Sequence, residues 1–267
     1  GQFPLKEFLC FSALALSDDV SNFASPLSTS VASPIKQRPN QIPSDPQLQR
    51  LLYLDPTIEK DRAKFNGDRV MEEVLKNPLA ARAKYEFKGG FNKRVYFPLH
   101  MVVALGASPN VVDVVRIAYP EAMKEKCNSC IGPAQGAPRL IFGIGKSVLH
   151  IACLFRASLD VLSLLLEKCP ELGMEVNPFE DTPLHIACKE KASFEVVSLL
   201  LEKCPEAAKK ENKFGLTPLH IACRQKASPE MISLLVEKFP DAAGMENHSY
   251  KLPLHIVCEY SPVVEVV

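Results

Sequence analysis

Apolar and polar positions along the chain recur with a period of 35 residues. Thr182-Pro183-Leu184-His185 returns as Thr217-Pro218-Leu219-His220 and as Leu252-Pro253-Leu254-His255, and Ser147-Val148-Leu149-His150 stands one step earlier. Cys153, Cys188, Cys223 and Cys258 follow each His at a constant offset, and Pro170, Pro205 and Pro240 keep the period further on. An earlier copy opens at Phe97-Pro98-Leu99-His100, reaches Ala107-Ser108 and Tyr119-Pro120 at matching offsets, and then carries fifteen extra residues before Ser147. A fixed period of this size marks stacked supersecondary units rather than one irregular core.

Inside a unit the residue types predict two helices. Thr182 and Thr217 offer a hydroxyl to cap a helix, and the Pro that follows occupies the first helical position, where a missing N–H costs nothing. This first helix runs to about Lys191 in the unit that opens at Thr182. Ser193 is then a second cap with Glu195 in the first turn, an arrangement that Ser158 with Asp160 and Ser228 with Glu230 repeat. The second helix carries Val196, Val197, Leu199, Leu200 and Leu201, a stripe wide enough to be buried on more than one side, and Pro205 closes it. Asn177, Asn212 and Asn247 then mark a tight turn, because Asn tolerates a left-handed backbone.

Helix, turn, helix and turned loop, opened by Thr-Pro-Leu-His-x-Ala, resemble the ankyrin repeat, and the resemblance covers about 97–267. Two departures stand out. The units are longer than the usual repeat of about 33 residues, and Cys-Pro-Glu or Phe-Pro-Asp replaces the expected Gly-Ala-Asp turn. The resemblance implies an all-α solenoid: a repeat with a long insertion at 97–146, full repeats at 147–181, 182–216 and 217–251, and an incomplete one at 252–267. Upstream, Val70, Met71, Val74 and Leu75 before Pro78 imitate a second helix, so 51–96 is expected to be a helical cap or degenerate repeat. Residues 1–50, rich in Ser and holding Pro26, Pro34, Pro39, Pro43 and Pro46, are expected to be a disordered arm. The chain starts at Gly1 and stops at Val267 within an apolar run, which suggests a piece of something longer. Phe8 to Leu16 echo a signal peptide, but Asp18 and Asp19 cut the run far short of a membrane span.

Stacking creates an extended concave face of first helices and turn tips without a preformed cleft. The resemblance therefore implies a non-catalytic scaffold or adaptor for a protein partner, monomeric and without a cofactor. Two alternatives remain: the repeats as targeting arm of a larger enzyme or signalling receptor, and a redox- or zinc-regulated adaptor using Cys127 and Cys130. Charge adds a limit, since 31 Lys and Arg offset 31 Asp and Glu. Bulk attraction to nucleic acid or an anionic membrane is thereby excluded.

The remaining chemistry is sparse. His100, His150, His185, His220 and His255 lie a full repeat or more apart, too far to share one metal ion, and the resemblance gives them bonds to the capping Thr and neighbouring backbone. The Cys ladder is expected to pack as small apolar side chains in a reducing, intracellular compartment, the cytoplasm. Two groups are candidate partner contacts. Arg156, Lys191 and Lys226 end successive first helices and would form a basic stripe on the concave side for an acidic partner; the competing view is a solvated face. Arg139, Leu140, Ile141 and Phe142 lie in the 121–146 segment, which either emerges on the binding face or folds back onto the first repeats.

Overall fold

The computed structural model describes residues 44–89, 92–128 and 144–260. Every described residue belongs to one compact unit, within 40–267. Most of the expected disordered arm therefore lies outside the described residues, but its end does not: Pro46–Leu52 form helix α1. Asp45 caps it by accepting from the Gln47 and Leu48 N–H groups, and Asn77 holds the other carboxylate oxygen at 3.0 Å. Pro46 reads as linker composition, yet it occupies the first turn, where proline is tolerated.

A short helix α2, Glu59–Arg62, leads to α3, Gly67–Lys76, which Asn66 caps. α3 buries Val70 and Val74, packs on α1 and on the later helix Pro109–Ala118, and ends before a 3₁₀ turn at Pro78–Arg82. Leu75, expected in the buried stripe, is exposed. The next stretch is not helical: β1, Tyr85–Gly89, and β2, Asn92–Tyr96, pair antiparallel with Tyr85 opposite Tyr96. Its alternating Tyr, Phe and charged residues around Gly89-Gly90 have the two-residue period of a hairpin.

From Pro98 the helical repeats stack. First helices are α4 (Pro98–Ala104), α6 (Val148–Leu154), α8 (Pro183–Lys189), α10 (Pro218–Arg224) and α12 (Pro253–Tyr260). Second helices are α5 (Pro109–Ala118), α7 (Leu159–Lys168), α9 (Phe194–Lys203) and α11 (Pro229–Lys238). First helices pack on first helices and second on second, giving an inner and an outer layer. The inner helices α4, α6, α8 and α10 are buried on nearly all sides, as Leu149, His150, Ile151 and Ala152 show, whereas α12 buries only Pro253 and Ile256. The outer helices bury only part of their surface: Val197, Leu200 and Leu201 face the core while Glu195 and Glu202 face water. Each outer helix ends in a 3₁₀ turn opened by Pro120, Pro170, Pro205 or Pro240. Ahead of α6, β3 (Cys127–Asn128) and β4 (Ile144–Lys146) form an antiparallel pair.

Small residues in these turns admit the neighbouring repeat. A Cβ at Gly173 would lie 2.1 Å from the Cys204 Sγ of the next unit, so this glycine is a close-approach site. Gly173→Ala is expected to cost about 1–3 kcal/mol, the usual range for overpacking a core. Cys204→Ala in the same chain should recover most of that loss in urea denaturation. Additive losses in the double variant would mean that the two side chains do not collide.

Candidate protein-binding surface

The surface is built on a repeated cap. In α8 the Thr182 N–H donates to His185 Nδ1 at 3.1 Å, and Thr182 Oγ1 lies 2.8 Å from the same nitrogen. Because a backbone N–H can only donate, Nδ1 must accept, so the proton sits on Nε2, which donates at 3.0 Å to the carbonyl of Leu216, the last residue of the unit, directly ahead of the next helix cap. His150 repeats this with Ser147 and the Asp181 carbonyl, and His220 with Thr217 and the Lys251 carbonyl. Each histidine thus ties a helix start to the loop that closes its unit and leads into the following repeat. His100 reaches the Glu125 carbonyl at 3.1 Å, but Phe97 offers no hydroxyl, and His100 Nδ1 has no partner among the described residues. Burial pushes His100 and His150 down to about 4, and holds His185 and His220 below their ordinary value.

The loops secured in this way project as fingers. Asn177 Oδ1 accepts from the Phe179 and Asp181 N–H groups, Asn212 Oδ1 from Phe214 and Leu216, and Asn247 Oδ1 from Ser249 and Lys251. Neighbouring fingers are linked, since the Lys213 N–H donates to the Phe179 carbonyl at 2.8 Å and the His248 N–H to the Phe214 carbonyl at 3.1 Å. Aromatic side chains crown them. Phe179 and Phe214 stack with ring centres 6.4 Å apart, Phe214 is 54 % exposed and Tyr250 80 %.

The insertion starts from this same row. Its two ends, Cys127–Asn128 and Ile144–Lys146, pair directly ahead of α6, and β3 also packs on β2 of the preceding hairpin. Lys126 anchors the pair to the next unit through Glu175 and the Val176 carbonyl. Arg139, Leu140, Ile141 and Phe142 lie outside the described residues.

Arg156, Lys191 and Lys226 are exposed and in register, one residue beyond the caps of α6, α8 and α10. Their place corrects the expected concave stripe: they occupy the turn between inner and outer helices, at the end of each inner helix opposite the fingers. A seven-residue helix separates the two edges by about 10 Å. All three adopt left-handed backbone, φ 54° to 57°, where the first repeat has Gly106 at φ 80°. The turn requires it, because Ala157, Ala192 and Ala227 donate back to the carbonyls five residues earlier and close each inner helix. Arg156 also donates through Nη2 to the Glu190 carbonyl of the next unit, so it has a structural task as well.

A family model described as ankyrin repeats (3 copies) matches residues 99–211 and 193–267. The chain belongs to the ankyrin-repeat family. Among 350 solved chains that match, one from the complex of the predatory endopeptidase Bd0816 of Bdellovibrio bacteriovorus with immunity protein Bd3460 shares the ankyrin-like fold. That chain is 19 % identical, superposes with a TM-score of 0.56, and the match covers 82 % of this protein and 94 % of that chain. No curated protein sequence matches.

Ankyrin repeats are protein-interaction modules, generally without catalysis, and the thiols here are placed for packing. Cys153, Cys188 and Cys223 are buried, and burial pushes their thiols up to about 12, 12 and 11. Cys258 departs from the expected core ladder: it is exposed, since no further helix pair packs on α12 among the described residues. The proposed redox or zinc pair fares poorly. Burial raises the Cys127 thiol to about 12, the reverse of what a nucleophile or metal ligand needs, and Cys130 lies outside the described residues. Among the described residues no group of three His, Cys, Asp or Glu could hold a metal, and no helix is long and apolar enough to cross a membrane.

Proposed function

We propose that this chain is a scaffold or adaptor that holds a protein partner across its fingers and inner helices. The observation that carries this reading is the stacked fingertip pair Phe179 and Phe214, with exposed Tyr250 on the next finger. Phe179 and Phe214 are 35 residues apart and stack, Phe179 half-buried and Phe214 exposed, while Tyr250 stands one position beyond that register on the next finger; exposed aromatics are costly to leave in water and are the residue types enriched at interface centres. The β3–β4 pair joins the same row of fingers, which favours Arg139, Leu140, Ile141 and Phe142 as contacts on the binding face over folding back. Arg156, Lys191 and Lys226 would contact an acidic part of the partner at the opposite edge. Left-handed backbone costs a side chain about 1 kcal/mol or more relative to glycine, and three basic residues hold it in register. The seven described cysteines are all free, which supports an intracellular, cytoplasmic setting. A neighbour of the same fold taken from a two-protein complex supports the class of role.

The test is a partner selected from a displayed library on the intact chain and titrated against two variants. Phe214→Ser with Tyr250→Ser is expected to weaken binding about tenfold or more, as loss of central aromatic contacts does. Arg156→Gly, Lys191→Gly and Lys226→Gly together should weaken an acidic partner while leaving the thermal midpoint unchanged or higher. A partner held equally by the wild type and both variants would place the binding surface elsewhere.

A further inference from the structure

The outer layer has a pattern of its own. Leu159, Phe194 and Pro229 begin α7, α9 and α11 in register, and Asp160, Glu195 and Glu230 follow them. Near the other end of the helices stand Glu167, Glu202 and Glu237. Two shallow grooves run between these helices and meet at Phe194, which is 43 % exposed. The groove between α7 and α9 is lined by three carboxylates, those of Asp160, Glu195 and Glu202, and the one between α9 and α11 by Glu230 and Glu237. No Lys or Arg lines either groove. Glu202 is 3.4 Å from its neighbour Lys203, whose row lies just past the groove ends. Glu195 is held below the usual carboxylate range by the Ser193 hydroxyl, and Glu230 by its own helix-start N–H, so both are firmly ionised.

We propose that the outer face of α7, α9 and α11 is a second docking surface, which takes an extended basic segment of a partner protein with a large apolar side chain seated against Phe194. Charge complementarity selects this occupant, and spacing describes it. Glu195 and Glu202 are seven residues apart on one helix, about 10 Å, and packed helices lie about 8–10 Å apart. A chain extended as polyproline II advances about 3.1 Å per residue with three residues per turn, so Lys or Arg at every third position line one face about 9 Å apart and meet successive carboxylates. The intervening apolar residues cover Phe194, Leu199 and Leu234. This surface is separate from the fingers, so the two readings stand or fall independently.

The probe is a short fluorescein-labelled peptide with Lys at every third position and Leu between, titrated into the full chain by fluorescence anisotropy. Wild type is expected to bind it, and Phe194→Ala and the pair Glu195→Lys with Glu230→Lys should each weaken binding about tenfold, the pair losing the salt dependence as well. All three positions are exposed, so the variants should fold, which circular dichroism checks. Glu206→Lys with Asp241→Lys reverses two carboxylates outside the grooves and should leave binding unchanged, as should Phe214→Ser at the fingers. Equal weakening by the Glu206 and Asp241 pair would reduce the effect to bulk charge and overturn the proposal. So would a wild type that does not bind, or one indifferent to Phe194→Ala.

Discussion

Taking the protein from pH 7 to pH 4 should unfold the repeat array. His100 and His150 are neutral and buried, held down to about 4, whereas in the unfolded chain they titrate near 6.5. Above pH 6.5 both states are neutral and the histidines add no pH dependence. As pH falls below 6.5 the unfolded chain takes up protons that the folded chain refuses, so stability drops until the folded groups titrate near 4. At pH 4 each histidine has cost about 3 kcal/mol, from about 1.4 kcal/mol per pH unit. The pair alone approaches the roughly 5–15 kcal/mol that holds a domain together. His185 and His220 shift in the same direction and steepen the loss. The cause is burial, which disfavours the charged ring in both, and at His150 a second proton on Nδ1 would in addition face the Ser147 N–H. Carboxylates such as Asp45 are held below their ordinary range and add to acid lability only at still lower pH. Urea midpoints at pH 7, 6, 5 and 4.5 would show it, and a midpoint that does not move across that range would refute the buried neutral state.

How much of this was legible in the sequence depended on whether the information was local. The helix pairs were, because Thr182, Pro183 and Ser193 each act on backbone within one turn. So was the finger turn at Asn212, whose amide oxygen closes a loop only four residues long. The 85–96 hairpin escaped because the helical spacing of Val70 and Val74 was carried past Pro78, although the period changes from helical to two near Tyr85. The position of Arg156, Lys191 and Lys226 escaped for another reason. Register shows that they form a row, but which edge the row occupies depends on the path of the turn that follows. Their positive φ could have been suspected from Gly106 at the matching place in the first repeat. The outer grooves needed the structure outright, since their walls come from residues 35 positions apart on helices that only stacking brings together.

His185→Ala should cost about 3–5 kcal/mol, well beyond the roughly 1 kcal/mol of a lost helix cap. Removing the ring strands the Thr182 N–H and the Leu216 carbonyl, both buried, at about 1–3 kcal/mol for each unsatisfied group. It also leaves a cavity in a site that is fully buried. His255 is the internal control. It sits in the same motif and accepts from the Leu252 N–H at 3.0 Å, but it is exposed, so His255→Ala should cost well under 1 kcal/mol. The spatial pattern of the damage separates a cap from a tie between repeats. A cap would loosen α8 alone, whereas the bond to Leu216 leads into the cap of α10, so hydrogen exchange in His185→Ala should quicken in 217–224 as well as in 182–189. Protection lost from 182–189 only, with 217–224 as slow as in the wild type, would mean that the bond to Leu216 contributes nothing to the coupling and that stacking of the apolar faces alone couples neighbouring units.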